Sequence, residues 1–265
     1  MNDMVTTDLA ALWSGIPLAD VLGMTPLEAR PGVASARLPA NPVSAATDGR
    51  VDPLALLPFL DQVGSLPLML EHGAPMATID LAVAFVATPA PGDIVAEARS
   101  RSPDGGARLV TAEATDSAGV PVATASLWFS LGAPPGGGER PPHVARASSD
   151  RPLREALGLS VAEDARVLIA PDTRAAVGWT GLPALHGGAI AVALAMAAEA
   201  RVGAEGRDDL RLAQLSVRFL RAARTFGGTA EARVDAIGRR TARLSATGVI
   251  AGEIVATAQA LLLRT

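Results

Sequence analysis

The chain repeats itself. Within its 265 residues, Leu22-Gly23 recurs as Leu157-Gly158, Phe85 as Phe219, Glu97-Ala98-Arg99 as Glu231-Ala232-Arg233, and Val122-Ala123-Thr124 as Val255-Ala256-Thr257. The four matches occur in order, at offsets of 135, 134, 134 and 133 residues. A drift this small points to a duplicated unit the size of a small domain. The fold must therefore be one that two similar halves can build.

The division falls where backbone order is hardest to keep. Eight of the eleven residues in GAPPGGGERPP, Gly132–Pro142, are glycine or proline, so neither helix nor strand persists there. The reading is an N-terminal unit over 1–132, a linker over 133–150 and a C-terminal unit over 151–265. Each unit shows a short strand (Val33–Leu38; Ala165–Ala170), then an apolar segment of helical length (Asp52–Leu70; His186–Val202). Four alternating, β-rich stretches follow in each. In the first half they are Thr78–Thr88, Asp93–Arg101, Ala107–Thr115 and Val120–Leu131. In the second they are Arg211–Leu220, Gly228–Ala236, Thr241–Val249 and Glu253–Leu263. One apolar helix followed by four strands predicts an α+β unit in which an antiparallel sheet wraps a helix. Asp52-Pro53 is a good opening for the first helix, since aspartate caps free amides and proline has none to leave unpaired. Pro58 and Pro67 interrupt that segment, so the helix either begins at Pro58 or bends there.

Composition excludes several chemistries. There is no cysteine, which removes disulfides, thiolate metal sites and cysteine nucleophiles. Three histidines, His72, His143 and His186, make a multi-histidine metal site an unexpected feature, and no metal is expected. A net charge of −4 argues against a nucleic-acid partner. The opening MNDMVTTDLAALW carries acids where a signal peptide needs basic residues. The most apolar stretch, Leu182–Ala198, is interrupted by His186, Gly187 and Gly188 and is too short to span a bilayer. It reads as a buried helix, and the expectation is a cytoplasmic protein that is not held in a membrane.

Leu185-His186-Gly187-Gly188-Ala189-Ile190, opening an apolar helix ahead of four strands in a duplicated chain, resembles the hotdog-fold acyl-CoA thioesterases. The resemblance covers nearly the whole chain. It implies a tandem, or double, hotdog: two antiparallel sheets joined edge to edge, each wrapping a central helix. Single-domain members of the phenylacetate-pathway type carry H-G-G and then an acid nine residues later. Nine residues after His186 stands Ala195, so the second half has the glycines without the acid. The first half is the reverse: Asp61 lies nine residues after Asp52, where Asp52-Pro53-Leu54 replaces H-G-G. Asp61 with Ala77-Thr78-Ile79-Asp80 is similar to the acid-bearing half of acyl-CoA thioesterase II enzymes. There a helix aspartate and a strand threonine act with a glutamine on the last strand. Leu127 stands at the matching place here. Gln259 is near it only in the other half, and Gln62 is another nearby amide. The order of halves is also swapped, since that enzyme's H-G-G half comes first.

Nine residues span about 13.5 Å of helix, too far for one helix to serve one carbon from both points. The resemblance implies two antiparallel helices, so Asp61 and the Gly187-Gly188 amides would meet across the halves, and the mirror position would be inert. Free amides at a helix N-terminus suit a developing oxyanion. Asp61 would act as base or nucleophile, with Thr78 orienting water and His186 beside it. Arg218, Arg221 and Arg224 would take the phosphates of CoA, bidentately as guanidinium does.

The expected function is acyl-CoA thioester hydrolysis with CoA thioester as substrate and no cofactor, by a pseudo-dimer that could assemble further as a homo-oligomer. The alternatives are a noncatalytic acyl-CoA or lipid-binding protein and an enoyl-CoA hydratase or dehydratase of the same fold. The residue types also allow plainer roles: Asp61 as an exposed helix residue, His186 as a cap, Thr78 as a strand opener, and the arginines as a solvated strand edge.

Overall fold

A computed structural model describes residue 13 and residues 16–72, 76–101, 106–131, 150–171, 176–178, 184–224 and 227–264. Most of the expected linker, His143 and the turn at Pro103–Gly105 lie outside the described residues.

The first half runs α1 (Pro17–Leu22), β1 (Thr25–Arg30), β2 (Val33–Leu38), α2 (Pro53–His72), β3 (Ala77–Phe85), β4 (Ile94–Ser100), β5 (Ala107–Thr115) and β6 (Pro121–Ser130). The second repeats the order: α3 (Leu153–Ala156), β7 (Leu159–Val161), β8 (Val167–Ile169), α4 (Gly187–Ala204), β9 (Leu210–Phe219), β10 (Gly228–Ile237), β11 (Thr241–Ile250) and β12 (Glu253–Arg264). Sequence reasoning missed α1, β1, α3 and β7, all short and weakly patterned. The repeated Leu-Gly pairs mark the ends of α1 and α3. Gly23 and Gly158 adopt φ of 68° and 66°, a left-handed turn that glycine enters without Cβ strain.

The strands form one antiparallel sheet in the order β1-β2-β4-β5-β6-β3-β9-β12-β11-β10-β8-β7. That order is a palindrome of the two halves about the β3–β9 pair. Ala82 pairs there with Ser216, its own counterpart 134 positions on, so the pseudo-twofold axis passes through this pairing. Short strands β1 and β7 close the outer edges, and β1 carries Pro26 and a bulge there, both of which discourage further strand pairing.

Each half-sheet wraps a helix. Leu81, Val83, Leu215 and Val217 point inward and are fully buried, alternating with outward residues as a half-covered sheet requires. Both α2 and α4 are apolar around most of their circumference, because strands cover one side and the other helix much of the rest. Both are long and apolar enough to cross a membrane by composition, yet most of each is buried within the sheet and its partner helix. The chain is a double hotdog.

Helix α2 begins at Pro53 and continues through Pro58 and Pro67. Asp52 caps it, its Oδ1 accepting the Leu54 amide at 2.9 Å. Proline within a helix forfeits a backbone hydrogen bond. At Pro58 the helix meets the other half closely: a Cβ on Gly188 would stand 2.2 Å from Pro58 Cα. The N-terminus of α4 thus meets α2 backbone to backbone, and only glycine fits.

Candidate active site

Four segments converge at that helix contact: the middle of α2, the N-terminus of α4, the start of β3 and the end of β9. Asp61 is 3% exposed, His186 8% and Gln62 3%. Buried polar groups of this kind must find partners, and these find one another.

Asp61 comes from one half and its partners largely from the other. Its Oδ2 accepts the Gly188 amide at 2.8 Å. Its Oδ1 accepts the Thr78 hydroxyl at 2.7 Å. His186, the residue before α4, caps the helix, its Nδ1 accepting the same Gly188 amide at 2.9 Å. Nδ1 also lies 3.2 Å from Asp61 Oδ2. The other ring nitrogen, Nε2, is 3.1 Å from Gln62 Oε1. Burial lowers the His186 pKa, and the Asp61 charge opposes that shift without reversing it, so the ring is neutral near pH 7.

Thr78 reaches Asp61 because of a backbone irregularity. In the β3–β6 pairing Thr78 sits opposite Phe129 and Asp80 opposite Trp128, which leaves Ile79 as an extra residue. The bulge turns Thr78 onto the inner face with Leu81, while Ile79 is left exposed. A regular strand would have aimed Ile79 at Asp61.

Gly188 spends its amide on Asp61 and His186. The Gly187 amide, at the first position of α4, has no acceptor among the described residues. Among the described residues it is a donor left open at the positive end of the helix. A Cβ at Gly187 would stand 2.8 Å from Asp61 Oδ2 and 3.2 Å from Phe219 Cζ, so glycine keeps the carboxylate and the amide adjacent. The sequence expectation grouped both glycine amides together, whereas the hydrogen bonds separate them.

The glutamine position is filled by packing. Leu127 is fully buried, and its Cδ atoms would lie 3.0 and 3.1 Å from a Cβ on Gly64. Gln259 is elsewhere, its Nε2 donating to Ser245 Oγ at 3.0 Å in an exposed pair. The buried amide at the site is Gln62, which carried no pattern in the sequence beyond its place next to Asp61.

The arginines expected to hold CoA do not touch this buried cluster: Arg218 alternates with inward Val217 and so lies on the outer face of the sheet. Phe219, whose ring flanks Gly187, lies between Arg218 and Leu220, and the Leu185 amide donates to Ala223 O at 2.9 Å. Arg218 is largely exposed, 3.8 Å from Asp80 Oδ2. Partial burial raises the Asp80 pKa, and Arg218 counteracts it. Arg221 pairs with Glu253 at 2.9 Å, and Arg224 is exposed. His72, at the end of α2, lies 3.6 Å from Glu71. Among the described residues no group of three or more His, Asp or Glu side chains is placed to hold a metal ion.

Comparison with known proteins agrees with this architecture. Residues 26–126 match the family model described as acyl-CoA thioesterase C-terminal domain. That model describes a C-terminal domain, and here it matches the amino-terminal, Asp61-bearing half. Among solved structures, a candidate thioesterase from Novosphingobium aromaticivorans is 14% identical, with a TM-score of 0.63 over 91% of this chain and 98% of its own. A hotdog-fold protein of unknown function from Alicyclobacillus acidocaldarius is 14% identical, with a TM-score of 0.62 over 94% and 97%. The tesB protein of Mycobacterium avium subspecies paratuberculosis is 12% identical, with a TM-score of 0.61 over 97% and 100%. No curated protein matches the chain. The chain is a double-hotdog protein whose residues 26–126 match the model described as acyl-CoA thioesterase C-terminal domain.

Proposed function

We propose that the chain hydrolyses acyl-CoA thioesters at the junction of its two halves. The observation that carries this reading is Asp61, supplied by α2 and fixed by Thr78 and the Gly188 amide, beside the Gly187 amide, which has no acceptor among the described residues.

The thioester oxygen takes the Gly187 N–H, where the helix end favours negative charge. Asp61 accepts a proton from water, and the water oxygen bonds to the thioester carbon. The C–S bond then breaks, its electron pair stays on sulfur, and the proton held by Asp61 completes the thiol. Thr78 holds Oδ1, which leaves the carboxylate one orientation. A general base contributes roughly 10²–10⁴-fold and an oxyanion donor about 10²–10³-fold. The reaction needs only water and the thioester. Arg218, Arg221 and Arg224, close to Phe219 in the chain, are the groups we assign to the CoA phosphates.

The His186–Asp61 pair also favours a second reading, hydration of an enoyl-CoA, because such chemistry uses an acid and a histidine together. One assay separates the two. A panel of short, medium, long, aryl and enoyl acyl-CoAs is followed by thiol release, which the cysteine-free chain does not obscure, and by absorbance. Thiol release supports hydrolysis. Loss of the conjugated enoyl absorbance without thiol release supports hydration. Tight binding with neither change makes the protein a noncatalytic acyl-CoA binder and ends the hydrolase reading.

A further inference from the structure

We propose that Gln62 is a positioning residue: its side-chain oxygen keeps the His186 proton on Nε2, leaving Nδ1 unprotonated beside Asp61, so that the lone pair it lends to the Gly188 amide at rest can turn to the proton that Asp61 takes from water. The inference rests on the hydrolytic reading above and extends it to a residue with no assigned part.

The geometry fixes the ring from two sides. A backbone amide can only donate, so the Gly188 N–H at 2.9 Å requires a bare lone pair on Nδ1. In a neutral imidazole the single proton then belongs to Nε2, which lies 3.1 Å from Gln62 Oε1. Gln62 is itself held, since Ser65 Oγ donates to the Gln62 carbonyl at 2.8 Å and lies 3.5 Å from its Nε2. That contact orients the amide with its NH₂ toward Ser65 and its oxygen toward the histidine.

This tautomer matters to the carboxylate. At rest, Nδ1 and Asp61 Oδ2 are two acceptors 3.2 Å apart that share one donor, the Gly188 amide. When Oδ2 gains a proton, the shared Gly188 N–H stays with the remaining lone pair of Oδ2, and the Nδ1 lone pair it gives up accepts the new O–H, which is held without leaving Asp61. That proton then returns to the departing sulfur. With the proton on Nδ1 instead, the ring would donate to the resting carboxylate and oppose its action as a base. The repeat shows that the fold does not require this amide: Gln62 corresponds to Met196 and His186 to Asp52, and α2 is still capped.

The test reads the tautomer and the rate separately. In the full chain labelled with ¹⁵N-histidine, the resonances of His186 are identified by their loss in a His186→Asn spectrum. The expected wild-type pattern, without substrate, is a protonated Nε2 and a bare Nδ1. Gln62→Met, which keeps length and removes the acceptor, should show a mixture of tautomers. Its kcat should fall about tenfold with KM within about twofold. Gln62→Glu keeps an acceptor and should restore both the Nε2–H pattern and most of kcat. A wild-type proton on Nδ1 overturns the proposal, as does a Gln62→Met protein with unchanged tautomer and kcat. Should Gln62→Met fail to fold, the wild-type and Gln62→Glu spectra still decide. Absence of turnover by the wild type would end the hydrolytic reading while the spectrum still reports the tautomer.

Discussion

The junction around Asp61 and its counterpart 134 residues away share a backbone and differ in chemistry. Each helix opens on a side-chain cap, since His186 Nδ1 accepts the Gly188 amide and Asp52 Oδ1 accepts the Leu54 amide, both at 2.9 Å. Each central strand carries a bulge at the matching residue, Ile79 in β3 and Ala213 in β9. Yet Ala195 stands for Asp61, Leu212 for Thr78, and Pro53 for Gly187. Proline has no amide, so the mirror position lacks the open donor as well as the acid and the hydroxyl. Caps and bulges serve folding and survive in both halves. The acid, the hydroxyl and the open amide have no such structural duty and are kept together once.

The first way to break this comparison is to exchange acids. Asp61→Asn should lower kcat by about 10²–10⁴-fold, because an amide cannot take the water proton. The mirror change Asp52→Asn should leave kcat within about twofold, since asparagine also caps helices well. Steady-state hydrolysis of the best acyl-CoA, with thermal melts to confirm folding, measures both. Equal losses in the two variants would make the halves equivalent and remove the composite site. Next in size is Gly187→Ala. Its Cβ would meet Asp61 Oδ2 at 2.8 Å and displace the carboxylate from the open amide. The expected loss in kcat is about 10²-fold, the scale of an oxyanion donor lost. Pro53→Ala restores an amide at the mirror position and should add no activity, because Ala195 faces it.

Much of this arrangement was legible in the sequence because duplication constrains it. The offset of 134 by itself pairs His186 with Asp52 and Asp61 with Ala195, and the resemblance to the H-G-G thioesterases then implies that the two halves meet. Helix length and strand alternation survive in the residues, so ten of the twelve strands and both long helices among the described residues could be placed. What escaped depends on contacts rather than patterns. The edge strands β1 and β7 owe their state to neighbours β2 and β8. The bulge at Ile79 lies in the register with β6, and no turn residue announces it. The division of labour between the two glycine amides follows from where Asp61 Oδ2 lies, which no spacing encodes.

Thr78→Val tests the bulge as a functional feature. Valine keeps the shape and loses the 2.7 Å hydrogen bond to Asp61 Oδ1. Hydrogen bonds to charged groups contribute roughly 1.5–3 kcal/mol, so kcat should fall about tenfold to a hundredfold while the melt moves little. The mirror change Leu212→Thr should leave kcat unaltered. A Thr78→Val enzyme at full rate would reduce the hydroxyl to a strand opener.

The smallest effect concerns the mirror position alone. One turn beyond Ala195, half-buried Glu199 has its pKa raised by burial and by the nearby Asp52 charge. The Leu212 amide, Arg154 and Arg211 pull the other way and do not cancel the shift. A carboxyl whose folded pKa lies above the unfolded value of 4.5 contributes most to stability when protonated. Below that value both states are protonated and the shift costs nothing. As pH rises the unfolded chain ionises first, and stability falls until the folded pKa is passed. Above it, the charged Glu199 remains a penalty. Glu199→Gln keeps an oxygen for the Leu212 amide and removes that penalty. Its melting temperature should therefore match the wild type near pH 4 and exceed it by a few degrees near pH 8, with kcat unchanged. A variant less stable than wild type at pH 8 would mean that the Arg154 and Arg211 attractions outweigh burial. The mirror position would then hold a stabilising ion cluster, and the contrast between a working junction and an inert one would have to include a structural duty for its acids.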